Sequence, residues 1–530
     1  MISVARKFWG FIEGINGLLL ILYSIFVFVT FVFVAENDLK YFPRWCFLIV
    51  ILSVALCPML LRAVRRLDTD RWMTRTEGVK SNEIRWRIIF FAVPLVFFLV
   101  KYVIHYPGAM TNDSFKQYGQ VLTGRYNDWH PVLQTLFSFR LPLTLTRGWI
   151  GSISLFQVFV FSFSLTHMLL SVRKYMNNRV ALIMTLFVLL NPETTNIALF
   201  PWKDVPFAIG AMLLMTFVLH IWFTEGEWIR KPWHLIAFVV VWVCTTLFRH
   251  NALLFTVPLL VILFFLIAKK TAIILCACVG VLVAGIKFPL YSALRVENPG
   301  KRQVETLGLP MTVIGAAVTY APEKLDDEVL EFAYQVAPRE VWEKEYKYGE
   351  YNDVKWDALT NNEVIEEYGT GRILGLMIRC FRQAPVESLK GFIKLTETVY
   401  SICDDYKYMD IPVIGQNEYG IYQQGIPALQ NVNEKVTRAV FNLFPRSFMY
   451  IGSMHLILLI VILAKCKLNK WKDWKKILMV LPMFAYNFGT ALLLTGASDS
   501  SRFFFYTFLL TPILLVILLV NKKERTAAAA

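Results

Sequence analysis

The feature that most constrains this chain is a series of long apolar runs that recur along its 530 residues. A helix needs about 20 consecutive apolar residues to cross the hydrocarbon core of a membrane. Twelve runs approach that length, although several have only about 15 to 18 residues. They lie at about 8–35, 43–62, 88–105, 150–170, 179–193, 205–222, 234–248, 252–268, 271–290, 447–464, 477–495 and 503–520. The sequence therefore predicts an all-α polytopic membrane protein with about 12 transmembrane helices.

The segments between the runs differ in their content of basic residues. With the N-terminus placed in the cytoplasm, the cytoplasmic segments hold 26 Lys and Arg residues, and the short external loops hold 9. Because positive charge is retained on the cytoplasmic side during insertion, we expect both termini to be cytoplasmic in a plasma-membrane protein. The net charge of +15 divides into −6 for residues 291–446 and +21 for the rest. The basic surplus thus indicates a cytoplasmic membrane surface that faces lipid, and we expect no nucleic-acid partner.

The apolar runs divide the chain into four parts. These are residues 1–87, with two transmembrane helices and a basic cytoplasmic loop; 88–290, a transmembrane module with external loops; 291–446, outside the membrane; and 447–526, with three transmembrane helices and a cytoplasmic tail. Residues 291–446, called the external segment below, contain amphipathic runs near 326–336, 371–382 and 386–400. We expect a mostly helical extracytoplasmic domain.

Four clusters of polar residues lie beside the predicted helices, and the topology places all of them on the external face. Ionisable residues beside spanning helices are costly, so clusters on one side indicate a site. Their candidate site residues are Asp113, Tyr118, Trp129, His130, Trp202, Lys203, Asp204, Arg249, His250 and Arg502. Carboxylates and cations at one level of the membrane suit an anionic, partly apolar substrate with a hydroxyl to activate.

The pattern of these clusters resembles a known group of enzymes. Asp113-Ser-Phe-Lys-Gln-Tyr118, followed by His130-Pro-Val-Leu133, is similar to the GT-C superfamily of membrane glycosyltransferases, in particular the protein O-mannosyltransferases and the bacterial aminoarabinose transferases. The resemblance continues with Lys203-Asp204, with the turn that contains Arg249 and with Arg502-Phe503.

The resemblance covers residues 88–290 best and the last three predicted helices loosely. Those enzymes usually have two adjacent acids where this chain has Asn112-Asp113, and His-Pro-Pro where it has His-Pro-Val. The external segment matches no pattern that we can name.

The resemblance implies transfer of a sugar from a polyprenyl-phosphate donor to an acceptor hydroxyl of a glycan, lipid or protein outside the membrane. In that reaction Asp113 is the candidate general base, and Asp204 is the other candidate catalytic residue. The remaining candidates would bind the substrates, with Lys203, Arg249 and Arg502 on the departing phosphate. The sequence contains no convincing metal-binding pattern, and a divalent metal requirement stays open.

Simpler roles exist for several candidates. Asp113 suits a helix cap, and Asp204 suits the first turn of a helix. Lys203 is typical of a flank charge that reaches the interface, and Trp129 and Trp202 are typical of the aromatic belt.

Two other functions stay open. An O-antigen ligase or polymerase would use Arg and His at the external face without a carboxylate base. A transporter or flippase would need ionisable residues near the midplane of the membrane.

Overall fold

The computed structural model describes residues 83–298, 303–399, 410–443, 458–459, 462–463, 465–466, 470–472, 474–496 and 500–519. These residues form helices joined by turns, and the described ranges contain isolated β-bridges but no β-strand. The all-α fold class is confirmed for this part of the chain. The predicted transmembrane helices at 8–35 and 43–62 lie outside the described residues, as does most of the run at 447–464.

The described helices follow the predicted order of apolar and amphipathic segments. Before the external segment they are Glu83–Ile104 (α1), Asn112–Thr123 (α2), Val132–Leu145 (α3), Ser152–Arg173 (α4), Asn178–Leu189 (α5), Pro192–Ile197 (α6), Asp204–Phe223 (α7), Glu227–Arg230 (α8), Pro232–Phe248 (α9), Leu253–Leu266 (α10) and Lys269–Ala293 (α11). In the external segment they are Gln303–Thr306 (α12), Gly308–Tyr320 (α13), Asp327–Val336 (α14), Arg339–Glu345 (α15), Asn352–Lys355 (α16), Glu363–Gln383 (α17), Pro385–Thr396 (α18) and Pro427–Leu443 (α19). After it come Leu481–Ala491 (α20), which continues a 3₁₀ turn at Trp474–Val480, and Ser500–Leu519 (α21).

Four of the described helices are long and apolar enough to cross a membrane, namely α1, α4, α7 and α11. Helices α3, α5, α9, α10 and α21 are apolar over shorter lengths. The structure thus describes a helical protein with several candidate membrane spans, and the total of 12 stays a prediction.

Helix α7 forms the centre of the membrane part. It is apolar nearly all round and buried along almost its whole length, which suits a helix enclosed by protein on every side. Helices α4, α9 and α21 pack against it. Helix α11 instead exposes large apolar side chains such as Ile273, Val281 and Phe288, as a helix that faces lipid does.

The external segment folds around helix α13, which is packed against α14, α15, α17 and α18. The Asp326 carboxylate accepts a hydrogen bond of 3.1 Å from the backbone N–H of Val329 and so caps α14. Gly391 lets α18 approach α13 closely, because a Cβ at that position would lie 2.8 Å from the Cβ of Ala316. All three predicted amphipathic runs are helical, in α14, α17 and α18.

Several backbone hydrogen bonds fix the external segment to the membrane module, and two of them lie close to the candidate residues. The Tyr351 N–H donates to the Thr495 carbonyl at 2.9 Å, just beyond the end of α20. The Glu297 N–H donates to the Tyr126 carbonyl at 2.9 Å, in the loop that follows α2. The segment is therefore held over the loops that contain the candidate residues.

Candidate active site

A cavity of about 850 Å³ lies between the membrane helices and the external segment, a volume typical of small-molecule sites. Seven of the ten candidate residues line it, namely Asp113, Trp129, Trp202, Lys203, Arg249, His250 and Arg502. The other three, Tyr118, His130 and Asp204, are not part of its lining. The fold therefore brings residues from all four clusters to one place.

Buried amides join the loops beneath this cavity. Gln117 on α2 donates from its Nε2 to Gln134 on α3 and, at 2.9 Å, to the hydroxyl of Thr135. Gln134 donates in turn to the carbonyl of Pro201 at 3.3 Å. These bonds connect the loop of Asp113 to the loop of Lys203, because buried polar groups are stabilised only when they find such partners.

Asp113 lies in the first turn of α2, and its carboxylate faces a cation. Arg502 at the start of α21 donates from Nη1 to the Asp113 Oδ2 at 3.2 Å. Burial alone would raise the pKa of Asp113, but the positive charges of Arg502, Lys203 and Lys116 hold that pKa below its ordinary value. Asp113 is therefore ionised at neutral pH, and its side chain keeps about 30% exposure in the cavity.

His130 lies behind Asp113, with its Nε2 3.9 Å from the Asp113 Oδ1. The imidazole is buried, and burial lowers the pKa of His130, with Lys203 and Arg502 lowering it further against the opposing effect of Asp113. His130 is neutral as a result. His130 packs behind the Asp113 carboxylate and outside the cavity lining. The substrate contact expected for His130 from the sequence stays a prediction.

Trp202 is buried rather than exposed at a membrane interface, so the aromatic-belt interpretation of this residue is wrong. Its indole N–H donates to the Thr111 hydroxyl at 2.9 Å, and its ring stacks on Phe200 with 4.2 Å between centroids. The Arg502 guanidinium lies 5.5 Å from the Trp202 ring and 4.9 Å from that of Phe503. The two aromatic rings thus help to fix the orientation of Arg502.

Lys203 is a cation of the cavity that, among the described residues, no carboxylate neutralises directly. Among the described residues no hydrogen bond or salt bridge holds its ammonium group. Burial lowers the pKa of Lys203 to about 8; Asp113 opposes this change, while Arg249 and Arg502 add to it. An unneutralised, partly desolvated ammonium group at a cavity wall is suited to bind an anion.

Arg249 and Asp204 form a buried salt bridge, with side chains 5% and 2% exposed. Arg249 also donates from Nε to the Asn251 Oδ1 at 2.6 Å, and its guanidinium lies 4.3 Å from the Phe503 ring. Asp204 therefore neutralises and positions Arg249 from behind the cavity wall. This placement does not suit the catalytic role expected for Asp204, because its carboxylate faces Arg249 rather than the cavity.

Breaking this pair is expected to destabilise the protein strongly. Arg249→Ala leaves the Asp204 carboxylate buried without its partner, at a cost of about 3–5 kcal/mol. Thermal unfolding of the purified protein in detergent measures this loss. The matched control is Arg339→Ala, which removes an exposed pair with Glu343 and should change the midpoint little.

A second variant separates the unpaired charge from lost packing. The double replacement of Asp204 by Leu and Arg249 by Met removes both charges and should recover much of the stability. A double variant as unstable as Arg249→Ala would contradict this account.

Of the three remaining candidates, two line the cavity and one lies outside its lining. His250 lines the cavity, and its Nε2 lies 3.1 Å from the Asp128 carbonyl oxygen. Trp129 also lines the cavity. Tyr118 lies outside the cavity lining and packs edge to face on Tyr419, with 5.1 Å between centroids, and its substrate contact stays a prediction.

The cavity also contains residues that sequence reasoning missed. Lys116, Glu305, Lys355, Trp356 and Asp410 belong to its lining. Only Lys116 had a signal, because it follows Asp113 by three residues and so lies on nearly the same face of α2. The other four are in the external segment, whose sequence has no feature that connects it to the membrane loops.

Within the described residues, no group of three or more His, Cys, Asp or Glu side chains is arranged to hold a metal ion.

In comparisons with known proteins, no family model matches the chain, and no curated protein and no solved structure is significantly similar to it.

Proposed function

We propose that this chain is an integral membrane glycosyltransferase that moves a sugar from a polyprenyl-phosphate-linked donor to an acceptor hydroxyl on the outer face of the plasma membrane. One observation supports this most: Asp113 shares a single cavity with the cations Lys203, Arg249 and Arg502. Asp113 and Arg502 make direct contact although 389 residues separate them in sequence. A carboxylate beside several cations suits proton removal at one atom and charge neutralisation at another.

The donor phosphate is assigned to the cations. As the bond between the anomeric carbon and the phosphate oxygen breaks, its electron pair goes to the phosphate, which gains negative charge. Lys203 provides a charge that no carboxylate neutralises directly, and Arg502 provides a planar fork held by Trp202 and Phe503. Arg249 contributes less charge, because Asp204 already neutralises it.

Asp113 is assigned to the acceptor. Its carboxylate takes the proton of the acceptor hydroxyl while that oxygen attacks the anomeric carbon. Arg502 keeps Asp113 ionised but also makes it a weaker base. A donor phosphate that draws Arg502 towards itself restores the basicity of Asp113, so donor binding and base activation are coupled in this mechanism.

The function is tested with purified protein in lipid vesicles and a panel of radiolabelled polyprenyl-phosphate sugars. Transfer of label from one of these donors, to water or to an added acceptor, supports the proposal when it is inhibited by unlabelled polyprenyl phosphate. Export or flipping of the labelled lipid without cleavage would instead indicate a transporter.

The loss of the Lys203 proton at alkaline pH is expected to weaken donor binding. The Lys203 pKa of about 8 lies below the ordinary value, so the ammonium loses its proton as the pH rises through about 8. We expect kcat/KM for the donor to fall above that pH, because the attraction for phosphate weakens. Lys203→Arg should remove the fall, since Arg stays charged. An identical alkaline fall in Lys203→Arg would exclude Lys203 as its origin.

A further inference from the structure

The external segment forms part of the cavity wall, and its contribution differs in chemistry from that of the membrane module. The residues that it provides are Glu305, Thr306, Asn352, Lys355, Trp356, Asp410, Val413 and Gly415. Lys355 and Glu305 form a salt bridge and Asp410 adds a carboxylate, so this wall offers no net positive charge to a phosphate. It offers hydrogen-bonding groups and an aromatic face instead.

Trp356 is exposed although the two residues before it are buried. Its side chain is 64% exposed, whereas Val354 is fully buried and Lys355 is 4% exposed. The backbone N–H of Trp356 donates to the Asn352 carbonyl at 3.1 Å, which fixes the backbone at the end of α16. An exposed indole at the wall of a polar cavity leaves apolar surface in contact with water, which is unfavourable. A ligand that covers the indole removes this cost.

The ring of Trp356 is held in place by its neighbour. The Lys355 ammonium lies 4.6 Å from the ring centroid and also contacts the Glu305 carboxylate. Glu305 keeps 37% of its side chain exposed, so its carboxylate has room for further hydrogen bonds. Indole and carboxylate therefore stand side by side in a fixed arrangement.

This arrangement is fixed to the catalytic side of the cavity as well. The Thr495 hydroxyl donates to the Asn352 Oδ1 at 2.6 Å, one helical turn from Trp356. Thr490 and Thr495, which flank the end of α20, line the same cavity as Arg502. Movement of the aromatic face relative to Asp113 is thus restricted, as precise placement of an acceptor hydroxyl requires.

We propose that Trp356, together with the Glu305–Lys355 pair, forms the acceptor subsite and that the acceptor is a carbohydrate. The C–H groups on one face of a sugar ring pack on an indole, and sugar hydroxyls donate to a carboxylate. This inference rests on the proposed glycosyltransferase function and adds the class of acceptor.

Two measurements on the full-length protein in lipid nanodiscs test this inference. The first is binding to an array of immobilised cell-surface oligosaccharides, which needs no turnover. The second is transfer from the labelled donor to those oligosaccharides, measured beside transfer to water. Trp356→Ala should weaken glycan binding and raise the acceptor KM by about 10-fold, a larger effect than any on donor cleavage by water. Trp356→Phe should keep most of both.

The matched control is Trp233→Ala, which removes a tryptophan that is 80% exposed at the start of α9 and absent from the cavity lining. Glycan binding that depends on Trp356 without any donor turnover would support the subsite and contradict the transferase function. Donor turnover with an acceptor KM that is equal in wild type and Trp356→Ala would overturn the subsite alone. The absence of both glycan binding and turnover would contradict both proposals.

Discussion

Replacing Asp113 by Asn is expected to lower sugar transfer by about 100-fold or more, the usual contribution of a positioned general base. Donor affinity should stay the same or increase. The reason is that Asp113 accepts a hydrogen bond from Arg502 at 3.2 Å and so competes with the donor phosphate for that guanidinium. Single-turnover rates and donor dissociation constants, measured on purified protein in lipid, separate the two effects.

The matched control for this variant is Asp353→Asn, the same chemical change in an external-segment residue outside the cavity lining. Full activity in Asp113→Asn would favour an O-antigen ligase or polymerase type of enzyme, which needs no carboxylate base. A loss of donor binding in Asp113→Asn equal to the loss of turnover would mean that Asp113 organises the donor site instead. Asp410, another acid of the cavity lining, would then be the next candidate base.

The convergence of Asp113, Lys203, Arg249 and Arg502 was accessible from the sequence because membrane topology restricts where loops can lie. Alternate loops of a polytopic chain share one side of the membrane, and the count of basic residues indicates which side. Helices such as α7 then bring the loop ends together, since α4, α9 and α21 all pack against it. Apolar runs and loop charges were sufficient to predict this level of organisation.

The direction of individual side chains was less accessible. Lys203 and Asp204 are neighbours at the start of α7, yet only Lys203 lines the cavity. Hydropathy does not distinguish the two residues, because Asp204 turns away from the cavity to pair with Arg249, which comes from another loop. The helical period gives more information on α2, where five residues turn the chain by about 500°, so Tyr118 points well away from Asp113.

The part of the cavity wall that the external segment forms was not predictable from the sequence at all. Lys355 is the last residue of the short helix α16, and Trp356 follows it, in a segment without strong apolar periodicity. They reach the cavity only because Tyr351 and Asn352 bond to Thr495, a residue more than a hundred positions later. Such long-range contacts are set by packing of the complete fold, and single-sequence patterns contain little information about them.

Arg502→Ala is expected to produce two separate changes, because Arg502 has two partners in the proposed mechanism. Donor affinity should fall by about 10- to 100-fold, the range for loss of a charge-assisted hydrogen bond to a phosphate. Turnover should fall further, since the same guanidinium faces the charge that develops as the phosphate leaves. Arg502→Lys should recover only part of either loss, because an ammonium group lacks the planar fork that Trp202 and Phe503 orient.

The pH profile of Arg502→Ala gives the sharper test. Arg502 is the strongest of the charges that lower the pKa of Asp113, so its removal raises that pKa. A general base works only above its pKa, and activity is lost as the pH falls through it. The acid limb of kcat/KM should therefore begin at a higher pH in Arg502→Ala than in wild type, whereas Arg502→Lys, which keeps the charge, should leave it nearly in place. An acid limb unchanged in both variants would show that Arg502 acts on the phosphate alone and that the ion pair with Asp113 has no part in controlling the base.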